Sequence, residues 1–447
     1  MKTKSFASTF AVGLLLLVGR PEAADAFDVS ATKSRIDGVL AKDYPYLEAL
    51  YKDIHSHPEL GFQEVRTSAL LAKEMRDLGF EVTEKVGTTG IVALYHNGPG
   101  PTVLVRTELD ALPMEERTGL PYSSRVKALS DGKETFVDHS CGHDSHMAWW
   151  VGTARALLAM KDQWRGTLMF IGQPAEELGR GAKAMLADGL FTRFPKPDYG
   201  FAAHVGPMAA NTMYVKDGTV SSTSQSVEIT FKGRGAHGSM PAASIDPIVI
   251  GAHFVTDVQT IISREKNPAA FGVVTVGSFQ SGTVGNIIPS EALLKLTLRS
   301  YAPEVAKLLL DGVLRTAKAS ADMANAPAPE IKVPGSTASV VNDSGLVGRT
   351  SEVMKAAFGS RAIVAPATAT PSSASEDFSE FIAAGVPAVF FGIGGTDPQV
   401  LSDAKAKGIP VPVNHSPFFA PVPEPAIKTG VAVLTLAVLT VASPDAK

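Results

Sequence analysis

Between residues 91 and 203 the chain repeatedly switches between short apolar runs and helical stretches. The runs are Ile91–Tyr95, Val103–Arg106, Leu168–Ile171 and Phe201–Ala203, and Met147–Met160 is one of the helical stretches between them. Runs this short read as strands buried on both faces, and strands alternating with helices imply a mostly parallel sheet covered by helices. Two helices fit residues 44–80, where Leu47, Leu50 and Ile54, then Leu70, Leu71, Met75 and Leu78, recur at helical spacing up to a stop at Gly79. From about Met213 the texture changes. Strand patterns at Ser226–Lys232, Val273–Phe279 and Leu293–Arg299 enclose helical stretches at Pro247–Arg264 and Pro303–Met323. Strand, helix, strand, strand, helix is the order of a small α+β sandwich. The Ala/Pro-rich segment Ala324–Pro334 reads as its exit linker, after which Ser344–Phe358 and Ala388–Gly392 resume the first pattern. The expected architecture is α/β, a mostly parallel mixed sheet flanked by helices, with the sandwich inserted into it.

The expected segments are a signal peptide at 1–26, the main domain at 27–212 and 331–447, and the insertion at 213–330. Lys2 and Lys4 precede an apolar stretch from Ala7 to Val18, with small residues at Ala24 and Ala26, which is the layout of a secretory signal. A periplasmic or secreted protein, free of the membrane after cleavage near Ala26, is the expectation. The apolar run Gly430–Ala442 is short for a membrane span and reads as a buried helix. Pro366–Ala374 is low-complexity and reads as a mobile loop. With 41 Lys+Arg against 45 Asp+Glu, the chain has no basic field to condense on phosphate. Nucleic acid is therefore excluded as a partner in favour of a small molecule or peptide.

One cysteine cannot form an internal disulfide, so Cys141 is buried filler, a nucleophile or a metal ligand. Its neighbours form the segment HSCGHDSHMA, in which Cys141 and His143 flank Gly142 and can turn toward one point. A thiolate and an imidazole suit zinc and its neighbours. A second cluster, GQPAEE at 172–177, follows a predicted strand. On an extended backbone Glu176 and Glu177 point to opposite sides, one toward a metal and one toward substrate. The alternative is an acid-rich helix start after a proline. His204, after Phe201–Ala203, is a core histidine or a third ligand, and ligands of open parallel sheets gather at strand carboxyl ends.

Taken in order, IHSHPELGFQE (54–64), RTELDALP (106–113), CGHD (141–144), QPAEE (173–177), His204, GRGAHGSMP (233–241), GNIIP (285–289), SEDF (375–378) and HSPFF (415–419) resemble the aminoacylase and carboxypeptidase-type metallopeptidases. Within these, the resemblance is to the N-acyl-amino-acid amidohydrolase branch containing hippurate hydrolase and the indole-acetyl-amino-acid hydrolases. It implies a two-metal centre of zinc, manganese or cobalt with Cys141, His143, Glu177, His204 and His415 as ligands, and Glu176 as catalytic base. It further implies a lid domain in which His237 and Asn286 reach the substrate, with Arg299 as a candidate for its carboxylate. The lid often mediates a homodimer in this superfamily. The implied reaction is metal-dependent hydrolysis of an N-acyl amino acid or a short peptide. A dipeptidase or carboxypeptidase differs only on the acyl side, and a thiol hydrolase would use Cys141 as nucleophile.

This chain departs from the branch at Glu108, where aspartate is usual; Asp110 is retained. Glu108, Asp110 and Asp144 are expected to orient ligands rather than to bind metal. His55 and His57 read as helix-end residues, His146 as an orienting or exposed residue, and Ser373 with Glu376 as a capping box opening a helix.

Overall fold

A computed structural model describes residues 27–444, so the signal-peptide segment 1–26 lies outside the described residues. Its main sheet has eight strands in the order Glu81–Val86, Gly90–Asn97, Gly166–Gln173, Thr102–Glu108, Tyr199–Ala209, Ala388–Thr396, Met213–Lys216 and Ala362–Ala365. The four central strands, Gly166–Gln173 through Ala388–Thr396, run parallel, and the outer ones mix directions. Alternate residues of each central strand face opposite layers. Val103 and Val105 pack with the helices Val29–His55, His143–Ala159, Ser344–Phe358 and Pro423–Ala442, whereas Leu104 packs with Met185, Phe378 and Phe381 on the other side. The C-terminal helix Pro423–Ala442 is long and apolar enough to cross a membrane, but 89% of its apolar window is buried inside the protein. It crosses His143–Ala159 at two glycines. A Cβ on Gly430 would lie 2.4 Å from Trp149, and one on Gly152 2.5 Å from Val431.

The inserted domain is a four-stranded antiparallel sheet in the order Gly272–Gln280, Glu291–Ser300, Thr223–Lys232, Glu330–Thr337, backed by the helices Pro247–Asp257 and Pro303–Met323. Val227, Ile229, Phe231, Leu294, Leu296 and Leu298 form its core against those helices, which leaves Ser224, Ser226 and Arg299 on the face turned to the main domain. Two expected boundaries shift. Met213–Lys216 belongs to the main sheet, so the insertion begins near Thr223. Glu330–Thr337, taken from sequence as linker and domain exit, is the lid's edge strand, so the insertion ends near Thr337. Most of this strand is exposed and it contains Pro334, which an edge strand tolerates and which hides the alternation.

Candidate metal centre

The parallel strands deliver their functional residues to one rim. The strand carrying His204 runs on to Ala209, so His204 does not end it, contrary to expectation. The neighbouring strand Thr102–Glu108 last pairs at Arg106 with Ala202, however, which puts His204 two residues beyond that ladder, at the level of the rim. Cys141 arrives by a turn in which the Gly142 amide donates to the His139 carbonyl at 2.9 Å, just ahead of the helix His143–Ala159. Gly142 has φ +90°, and a Cβ there would lie 2.4 Å from Val205 Cγ1. Only glycine lets Cys141 and His143 face one point this close to the next strand.

Glu176 and Glu177 lie on a turn between Gln173 and the helix Gly181–Ala187, neither on extended backbone nor at a helix start. Ala175 takes φ +47°, with its amide held by Glu64 Oε1 at 2.8 Å. Both acids approach His143 Nε2, and each has further neighbours of its own. Glu177 Oε2 lies 3.3 Å from His415 Nε2, and Glu176 Oε2 lies 3.8 Å from His143 Nε2, with Glu376 and Asp377 on its other side. His415, at φ +67°, donates its backbone N–H to the Ser140 carbonyl. The preceding Asn414, which sequence reasoning missed, donates to the carbonyls of Cys141 (2.9 Å) and Val205 (3.1 Å), tying three ligand-bearing segments together.

All five residues expected as ligands converge. Cys141 Sγ is 3.4 Å from His204 Nε2; ligand atoms of Cys141, Glu177 and His415 lie within 4.8 Å of one another, as do those of His143, Glu176 and Glu177. The outer nitrogens are already committed. His143 Nδ1 lies 2.8 Å from the Asp110 carbonyl oxygen and His204 Nδ1 2.8 Å from that of Val205, contacts that an Nδ1–H donates, so each Nε2 lone pair points inward. His143 Nε2 and Glu177 Oε1 are buried with no hydrogen-bond partner. Orphaned acceptors ringed by a thiol and carboxylates fit divalent cations in both number and ligand type.

Burial and neighbouring charges shift these groups strongly. Burial pushes the Cys141 thiol well up, and Glu177 and Glu176 push it further. A thiol held neutral in this way becomes a thiolate only where a cation takes the place of its proton. Burial opposes charge on His143, but the Asp110 contact and nearby carboxylates raise it to about 10, so a cation at Nε2 would displace a proton there, whereas burial and His146 drive His204 down to about 3. Burial would raise Glu177, yet His415 and His143 hold it below the usual range. Glu176 is pushed well up, first by burial and then by Glu376, Glu177 and Asp377.

The residues expected to orient ligands are fully buried. The Asp110 carboxylate accepts from the Glu177 amide at 2.9 Å, Asp144 contacts His55 Nδ1 at 2.6 Å, and Glu108 bridges Arg106 and His146. His146, left open between an orienting role and exposure, is completely buried. The capping box is not formed. Glu376 pairs with Arg106 at 2.7 Å and the helix starts only at Ser379. A cavity of about 880 Å³ opens above Cys141, Glu176, Glu177, His204 and His415, roofed by the lid residues Arg299 and Thr337. Arg299 donates to Ser375 Oγ at 2.6 Å and has no carboxylate partner among the described residues. His237 and Asn286 are not brought to this cavity; they lie exposed at the short ribbon of Ala236–His237 and Ile287–Ile288.

The profile of peptidase family M20/M25/M40 matches residues 104–439. Hippurate hydrolase of Campylobacter jejuni is 36% identical over 342 residues, 75% of this chain and 84% of that protein. N-acetylcysteine deacetylase of Bacillus subtilis is 33% identical over 310 residues, 67% of this chain and 77% of that protein. The crystal structure of Bacillus subtilis YXEP, a dinuclear metal-binding peptidase, superposes with a TM-score of 0.68 at 27% identity, covering 92% of this chain and 99% of that one.

Proposed function

Because this chain belongs to peptidase family M20/M25/M40, we propose as its activity the hydrolysis of N-acyl amino acids to a free amino acid and a carboxylic acid. It is a metal-dependent amidohydrolase with two divalent ions, and the convergence of Cys141, His143, Glu177, His204 and His415 around orphaned acceptors is the observation that carries the reading. In our reading these five hold the ions, which when bound acidify water and polarise a carbonyl oxygen. Glu176 takes the proton from the attacking water and returns it to the leaving nitrogen. Arg299 takes the substrate carboxylate, since it is the cavity's unpaired guanidinium. The Tyr214, Met208 and Phe390 side of the same cavity receives the acyl group.

We assign His237 and Asn286 to substrate contacts made after lid movement or across a homodimer, and an exported location on the strength of Lys2, Lys4 and the apolar run that follows. A panel of acetyl-, benzoyl- and aminoacyl-amino acids tests the reaction. Release of free amino acid from the acyl members, lost on chelation and regained with zinc, manganese or cobalt, is the expected result. Turnover confined to aminoacyl substrates would move the reading to a dipeptidase, and no release from any member would refute it.

A further inference from the structure

Glu108 does not line the cavity and hydrogen-bonds none of the five ligands, although its carboxylate lies within 4.8 Å of ring nitrogens of His143 and His204; it begins a series of hydrogen bonds that, joined through the Val205 backbone, ends on one of them. Its Oε1 accepts from Arg106, and its Oε2 lies 2.8 Å from His146 Nδ1. His146 Nε2 accepts the Val205 N–H at 2.9 Å, and the Val205 carbonyl accepts from His204 Nδ1 at 2.8 Å. Every side chain in the series Arg106, Glu108, His146 is fully buried. His146 is fixed between Trp149, stacked at 4.5 Å between ring centroids, and His204, edge-on at 4.5 Å.

The proton positions along this chain are not free. To accept from a peptide N–H, His146 Nε2 must be unprotonated, so the ring proton sits on Nδ1, and only an acceptor there stabilises that tautomer. Glu108 is that acceptor. The N–H it anchors through His146 is that of Val205, and the carbonyl of the same residue, on the next peptide unit, in turn requires His204 to carry its proton on Nδ1 and to present the Nε2 lone pair toward Cys141. We propose that Glu108 is a positioning residue for the metal centre, fixing the orientation and tautomer of His204 through His146 and the Val205 backbone. Its length matters as well as its charge. One carboxylate spans Arg106 and His146, and Arg106 also holds Glu376 beside the base Glu176, so the two halves of the site share one buried hub. An aspartate at the same Cα is one methylene shorter and cannot keep both contacts with the backbone in place.

This inference rests on the two-metal reading above, and the test separates the two. Full-length protein stripped by chelation is titrated with cobalt, followed by visible absorption, and with zinc against a chromophoric competitor, giving the affinity for each equivalent. Apo-protein thermal unfolding reports folding. In Glu108→Gln and in Glu108→Asp one equivalent should weaken about 10–100-fold and the other stay within about threefold, the size of effect known for residues that orient a ligand. The cobalt spectrum of the weakened equivalent should change while the apo melting curve stays cooperative. Both equivalents unchanged, or both weakened alike, would overturn the proposal. If the Glu108 variants do not fold, His146→Asn enters the same chain from its other end and must weaken the same equivalent. Wild-type protein that takes up no cobalt would instead sink the metal-centre reading itself.

Discussion

Beneath the metal loop, His55 lies between two buried carboxylates, with Nδ1 2.6 Å from Asp144 Oδ2 and Nε2 3.3 Å from Glu116 Oε2, packed against Tyr51 and Tyr122 and beside Asp138. Burial opposes charge on the ring, but the Asp144 hydrogen bond and the Asp144 and Glu116 carboxylates beside it more than reverse it and carry the pKa from 6.5 to about 10. At 1.36 kcal/mol per tenfold change in proton affinity, that corresponds to roughly 5 kcal/mol of stabilisation of the charged ring. Removing one member of a buried ion pair costs about 3–5 kcal/mol, the same range. Glu116, which burial raises but His55 lowers further, sits at about 2. The signs give a window. The His55 contribution is complete below pH 6.5 and is lost as pH rises through about 10, whereas the Glu116 contribution is complete above pH 4.5 and is lost as pH falls through about 2. His55→Leu should therefore be less stable than wild type by about 3–5 kcal/mol near pH 5.5, with the gap at least halved near pH 10. Urea unfolding of both proteins at matched metal loading, followed by tryptophan fluorescence, measures this. A gap that stays constant from pH 5.5 to 10 would refute the claim that folded His55 carries a proton.

Three further outcomes follow from the site. Glu176→Gln should retain its metal but lose about 10²–10⁴-fold in kcat, read by elemental analysis beside steady-state kinetics. Gly142→Ala should destabilise the protein by at least about 1–2 kcal/mol from the left-handed backbone alone, and more from the Val205 clash, seen as a lower thermal midpoint with reduced metal retention. Arg299→Ala should raise KM for an N-acyl amino acid by about 1.5–3 kcal/mol worth of binding while leaving KM for the C-terminally amidated analogue unchanged; equal effects on both would remove Arg299 from the carboxylate role.

The strands that build the rim were legible because each is a short apolar run set off by helices, and the Cys141 loop because its candidate ligands crowd into one segment. Glu176 and Glu177 were expected to point to opposite sides of an extended backbone; they sit instead on a turn hinged at Ala175, which no spacing rule exposes, with carboxylate oxygens 3.8 and 4.0 Å from the same His143 Nε2. Other features resisted for identifiable reasons. Asn414 and His415 have no local ligand pattern, and their meaning comes from contacts with Cys141, Ser140 and Val205, more than two hundred residues away in sequence. His55 does end the helix Val29–His55, as expected, but its burial between Glu116 and Asp144 was not legible because those partners are distant in the chain. The lid's last strand was hidden by Pro334 and by its exposure, since an edge strand buries too little to show a period. The exposed placement of His237 and Asn286 could not be read from sequence at all, because it depends on how far the lid stands from the rim.

Counting metal against activity is the most direct test of the central claim. Purified protein analysed for metal content, exhaustively chelated, and then assayed on an N-acyl amino acid with and without reloading should hold two divalent ions per chain, lose turnover with them and regain it on reloading. Full activity in metal-free protein, abolished by alkylation of Cys141, would contradict the account and restore the thiol as nucleophile.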